Sequence, residues 1–105
     1  MMAATRRRID VDAATRPVLP RHVRLRHDKL RGLWLLLAPE RVLTPDPTAV
    51  EVLQLCDGTR TVDDVAEALA TRYDAPREQI ADDVIAMLQD LADKDFLTAK
   101  EEQTG

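Results

Sequence analysis

Few side chains in this sequence could do covalent chemistry. They are His22 and His27, the single cysteine Cys56, and two pairs of neighbouring carboxylates, Asp63-Asp64 and Asp82-Asp83. A histidine near neutral pH can move protons or hold a metal, but only with a partner group in reach. Neither histidine has an acid or a cysteine at ligand spacing, so both read as solvated or packed side chains and are rejected as a site. A nucleophilic thiol needs a base or a cation beside it. Cys56 ends an apolar stretch with no such neighbour and reads as a small core residue. Adjacent carboxylates on a helix diverge by about 100°, too far to share a proton or a metal ion, so both pairs read as solvated faces. With no Gly-rich phosphate loop and no CxxC, the expectation is a protein that is not an enzyme and uses no cofactor or metal.

What remains is a surface for binding, and the elements must build it. A chain of 105 residues, 45% hydrophobic, can bury one modest core. A lone cysteine makes no internal disulfide, and no early apolar segment resembles a signal peptide or membrane span, so the cytoplasm is the expected compartment. Charge is divided along the chain. Residues 1–31 hold nine Lys/Arg against three Asp, whereas residues 32–105 hold six Lys/Arg against sixteen Asp/Glu. The stretch MMAATRRRIDVDAATRPVLPR has few large apolar residues and prolines at 17 and 20. It predicts a flexible basic arm or linker over 1–19, a folded domain over 20–97 and a disordered tail over 98–105.

From His22 the sequence alternates, with Val23 and Leu25 on one face and Arg24 and Arg26 on the other, the period of a strand. Leu33-Trp34-Leu35-Leu36-Leu37 is a short continuous apolar run, read as a strand covered on both faces. Pro39-Glu40 then reverses the chain into Arg41–Thr44. Short connections favour an antiparallel meander, which leaves the third strand at an edge. Asp46 and Pro47 open a first helix, Thr61 to Asp64 resembles a capping box for a second, and Asp74 and Pro76 precede a third that runs to about Asp95. The fold class is therefore α+β, a three-stranded antiparallel sheet followed by three helices, like a winged helix-turn-helix.

On the third helix Ile80, Val84, Met87 and Leu91 cluster, and Leu88, Ala81, Ala92 and Ile85 widen the apolar arc on one side only, to about 160°. Two readings from different classes compete. A winged helix would read DNA with this helix, yet Pro76 to Leu97 holds six carboxylates against Arg77 and Lys94, the wrong sign for phosphate. The other is a peptide-binding module, in which an extended segment pairs with the edge at 41–44 and lays side chains on the spare flank. Val42 or Leu43 would fill the core while its neighbour faces outward. Ile85, Leu88 and Ala92 would receive apolar peptide side chains, or pack in the core, and Arg41 could pair with a peptide carboxylate or simply guard the edge.

Three runs, LLAPERVL, LQLCDGTRTVDDVAEALATRYD and IAMLQDLADKDFL, stand in this order. Over roughly residues 17–97 the chain resembles the family of the pyrroloquinoline quinone biosynthesis protein PqqD. The resemblance implies a domain that recognises the ribosomally made precursor peptide PqqA and presents it to the radical SAM enzyme PqqE, which cross-links a Glu and a Tyr of the precursor. It implies strand addition beside Arg41, Val42, Leu43 and Thr44 and against Ala81, Ile85, Leu88, Gln89 and Ala92, in a monomer or weak dimer without nucleic-acid or membrane partners. Two departures stand out. Lys94-Asp95 replaces the Lys-Gly common in relatives, which leaves the last helix without its glycine cap, to fray or continue. The arm MMAATRRRIDVDAATR lies outside the match, either a linker remnant or a native tail.

The acidic last helix generates the first prediction. Electrophoretic mobility shift at physiological salt should detect no sequence-selective duplex binding; selective binding that persists after removal of residues 1–16 would contradict it.

Overall fold

The computed structural model describes residues 9–100. In chain order its elements are β1 (Pro17–Val18), β2 (Arg24–Asp28), β3 (Leu33–Ala38), β4 (Arg41–Leu43), α1 (Pro47–Gln54), α2 (Val62–Tyr73), α3 (Arg77–Asp93) and β5 (Thr98–Ala99). Strands β2, β3 and β4 form the antiparallel meander expected from the alternation, with β4 at an edge. The register pairs Leu25 with Leu36 and Leu36 with Leu43. One row of apolar side chains thus points at the helices, with Leu36 fully buried.

The β2–β3 connection closes on Gly32, whose φ of +70° suits glycine and whose N–H donates to the Asp28 carbonyl at 2.8 Å. The β3–β4 turn is tighter. Pro39 supplies its fixed φ, and Glu40 takes a φ of +62° at the next position, where glycine is favoured.

Side chains also set the helix ends. Asp46 accepts the Ala49 N–H at 2.8 Å ahead of Pro47, as the sequence implies. Thr61 and Asp64 form a reciprocal capping box, each side chain accepting the other's backbone N–H. At the end of α3 the Asp95 N–H donates to the Ala92 carbonyl, and the Phe96 N–H to the Leu91 carbonyl at 2.9 Å. That is a Schellman motif in which Asp95, at φ +69°, does the work of the missing glycine. The helix therefore stops after Asp93 and neither frays nor continues.

Three expectations need correction. Leu33-Trp34-Leu35-Leu36-Leu37 is covered on one face only: Leu33, Leu35 and Leu37 are half-buried on the outer side with Arg24 and Arg26. Leu36 is the one residue of this run that is fully buried, in a core cluster with residues of all three helices. Residues 9–19 are not a loose arm. Val11 is 7% exposed within the core, the Thr15 and Ala13 carbonyls accept the N–H groups of Val62 and Asp63, and β1 pairs with β5. The same pairing means the predicted tail from 98 is ordered through Lys100. The remaining parts of the predicted arm and tail, 1–8 and 101–105, lie outside the described residues.

The run Leu-Cys-Asp-Gly-Thr-Arg-Thr joins these parts. The Asp57 carboxylate accepts from the Thr59 N–H and hydroxyl and from Arg60. These bonds, the Thr59 N–H first, bring its pKa down to about 2. Gly58, at φ +84°, donates its N–H to the Pro17 carbonyl; a Cβ there would lie 3.2 Å from the Lys100 side chain and 3.5 Å from Val18. This motif holds β1 and β5 in place.

Because Glu40 occupies a left-handed position, Glu40→Gly should raise the unfolding free energy by up to about 1 kcal/mol, read by urea denaturation.

Candidate functional site

Each antiparallel strand turns its backbone groups alternately to either side. The two-residue Pro39-Glu40 turn closes on the Ala38–Arg41 pair, so Arg41 and Leu43 bond to β3. Val42 and Thr44 direct their N–H and C=O groups away from the sheet. Side chains alternate in the other sense. Val42 stands outward at 59% exposure, whereas Leu43 is half-buried toward the helices. This settles which of the two fills the core. The Arg41 guanidinium lies 4.2 Å from the centre of the Phe96 ring, a cation–π contact that ties the start of β4 to the segment after α3.

Beside β4 the surface opens into a crevice. Its floor at the β4 end is Leu36, Leu43, Leu53 and Leu91, with Met87 and Asp90 of α3 on one wall. It continues past Asp46, Ala49 and Met87 into a second depression of about 320 Å³, lined by Ile80, Asp83, Val84, Leu69 and Tyr73. The expected groove residues on α3 lie elsewhere. Leu88 is fully buried, and Ala92 is 6% exposed. Gln89 holds the chain's own N-terminal segment: its Oε1 accepts the Val11 N–H at 2.8 Å, and its Nε2 donates to the Ile9 carbonyl at 2.9 Å. Ala81 and Ile85 are half-buried on this same side of the helix. On the spare flank Gln89 is thus engaged by residues 9 and 11, and the crevice opens on the opposite flank, at Met87, Asp83 and Asp90.

Sequence reasoning missed those three because it widened the apolar arc only toward Ile85. It could not know which flank the N-terminal segment would take. Met87 gave a signal, being a large apolar residue at the rim of the arc on the other side.

The side chains with potential for chemistry are quiet. Cys56 donates its thiol to the Val52 carbonyl at 3.2 Å, and burial pushes its pKa up to about 12, so it stays a thiol. Asp64 is held below the usual carboxylate range by the Thr61 N–H of the capping box. Asp63 pairs with Arg77 at 2.6 Å across α2 and α3, and His27 stacks on Trp34 with ring centroids 4.8 Å apart. Among the described residues no group of three or more His, Cys, Asp or Glu is arranged to hold a metal, and no helix is long and apolar enough to cross a membrane.

Known proteins resemble this chain in both sequence and fold. The family described as coenzyme PQQ synthesis protein D (PqqD) matches residues 34–97. A relative from Bradyrhizobium diazoefficiens, named PqqA binding protein, is 63% identical over 94% of this chain and 96% of its own. The chain belongs to the PqqD family. Two solved PqqD structures share its fold. The solution structure of the PqqD part of Methylobacterium extorquens PqqCD, described as a functional stand-alone recognition element for ribosomally made, post-translationally modified peptides, has a TM-score of 0.73 at 44% identity. The match covers 84% of this chain and 94% of that one. PqqD from Xanthomonas campestris has a TM-score of 0.54 at 40% identity, covering 84% and 98%. In this PqqD chain the motif runs divide by role. LLAPERVL builds the edge, LCDGTRT fastens the termini, and the last run supplies both the core line and the crevice wall.

The assignment of flanks on α3 can be checked by stability. Leu88→Ala should cost about 2–5 kcal/mol in urea denaturation, and Met87→Ala less than about 1.5 kcal/mol. Equal losses would put both residues in the core.

Proposed function

We propose that this protein binds the precursor peptide PqqA and presents it to the radical SAM enzyme PqqE in pyrroloquinoline quinone biosynthesis, as a recognition element without catalysis of its own, in the cytoplasm. One observation carries the reading: the edge of β4, which no strand pairs among the described residues, lies directly beside an apolar crevice that runs along α3. The name of the Bradyrhizobium relative and the description of the Methylobacterium structure support it.

The geometry suits strand addition. A peptide laid along β4 would bond to the outward backbone groups of Val42 and Thr44, gaining affinity that does not depend on its sequence. Its alternate side chains would enter the crevice over Leu43 and Met87, which supplies selectivity. The side chains of Ile85, Leu88, Gln89 and Ala92 have no direct part in this arrangement, because they belong to the core or to the N-terminal segment. Arg41 stays on Phe96 and positions the strand. Presentation follows from the same economy, since strand addition holds a short stretch of peptide and leaves the rest free for the modifying enzyme.

Proline removes one backbone donor at a time and separates this reading from a merely exposed edge. Val42→Pro and Thr44→Pro should keep the far-UV circular dichroism of the native domain and lose PqqA binding by calorimetry at least tenfold. Arg41→Pro and Leu43→Pro should disturb the β3–β4 pairing itself. Full-strength binding by folded Val42→Pro and Thr44→Pro would refute strand addition.

A further inference from the structure

The crevice has an imbalance of charge that bears on what the peptide must carry. Among the described residues its two depressions are lined by three carboxylates, Asp46, Asp83 and Asp90, and by no Lys, Arg or His. Asp90 is already paired with Lys94 at 3.0 Å. Asp46 spends one oxygen, Oδ1, on the Ala49 N–H that caps α1, and its second oxygen has no partner among the described residues. The Asp83 side chain makes no hydrogen bond or ion pair among the described residues. These two carboxylates stand on different elements, the start of α1 and the first half of α3, and border the same apolar depression with Ile80, Val84, Met87 and Tyr73.

The geometry points to a specificity pocket for a cationic side chain: the peptide segment that adds to β4 carries a lysine or arginine whose head group sits between Asp46 and Asp83. This rests on the strand-addition reading and deepens it. A strand alternates its side chains, so residues two apart, about 6.6 Å along the chain, enter the crevice from the same face. The peptide residue opposite Leu43 meets Leu43, Met87 and Leu91 and is apolar. The next inward residue, toward Pro45, passes Met87 and Ala49 and reaches the depression bordered by Asp46 and Asp83. A long aliphatic stem suits the apolar walls there while its charge ends at the carboxylates, the division of labour for which lysine and arginine side chains are built. The binding motif is then an apolar residue and a cationic residue in an i, i+2 relation. A carboxylate at the second place would meet two like charges.

The test uses the full protein and full-length PqqA, with each Lys or Arg of the peptide changed in turn to Gln, and calorimetry at fixed ionic strength. Against the unaltered protein, one peptide position should lose about tenfold in affinity, the size expected for a charge-assisted hydrogen bond. Asp83→Asn should lose a similar factor with the unaltered peptide. The two changes together should cost no more than either alone, the mark of a direct pair. Asp82→Asn, one residue away on the solvent side and identical in charge, is the control and should leave affinity unchanged. Equal losses from Asp82→Asn and Asp83→Asn would reduce the effect to long-range attraction and overturn the pocket. Binding that is indifferent to Asp83→Asn, or losses that simply add, would overturn it too while leaving strand addition intact. An unaltered protein that fails to bind PqqA would remove the functional reading itself, and the pocket with it.

Discussion

Phe96 sets how far β4 stands from α3. Its N–H completes the Schellman motif at the end of α3, its ring is buried in the core, and the Arg41 guanidinium lies on that ring. One residue therefore joins the last turn of the helix to the first residue of the edge strand. From this clamp the strand and the helix run on with Leu43, Met87 and Leu91 between them, and the crevice is the space that remains. Were the clamp absent, the strand could close onto the helix or peel from it, and neither arrangement would hold a depression open. The stop at Asp95 matters for the same reason. A helix that continued one turn further would carry Phe96 away from β4.

Much of this was legible in the sequence where periodicity extends over several residues or a cap has its own chemistry. The meander, the edge position of β4, the Asp46 cap, the Thr61–Asp64 box and the core line of α3 all follow from patterns of that kind. What escaped is short or non-local. Strands β1 and β5 have two residues each and show no alternation, and Pro17 and Pro20 read as breakers although Pro17 needs no N–H in its place. The bond between Gln89 and the backbone of Ile9 and Val11 joins residues about eighty positions apart. No local pattern announces it. The end of α3 was misjudged because aspartate, like glycine though at a cost, can take a left-handed conformation. The apolar row of β3 misled for a different reason: a continuous run states that side chains are apolar, but not that the chain has elements enough to cover both sides.

The two flanks of α3 illustrate how one helix serves two purposes. On one side a side-chain amide reads the backbone of an extended segment, and that segment belongs to the protein itself. On the other the helix wall waits beside an open strand edge. The hold of Gln89 on residues 9 and 11 occupies that part of the first flank, while the crevice beside β4 stays open on the other. The N-terminal residues that lie outside the matched family region thus help define the site without lining it.

An open edge is also a hazard, since it can pair with another copy of the same edge. Here β4 is only three residues long, bounded by Pro39 and Pro45, and the wall beside it is acidic. Two copies joined edge to edge would bring Asp46, Asp83 and Asp90 of each into the same neighbourhood, with Lys94 already engaged by Asp90. Like charges at that distance oppose the pairing, while a peptide with a cation in the right place meets no such opposition. Strand shortness limits what backbone bonds alone can contribute, and the crevice must supply the difference. The weak edge and the charged crevice therefore solve one problem together: the edge gives any extended chain too little to hold, and the crevice favours the chain whose side chains match it.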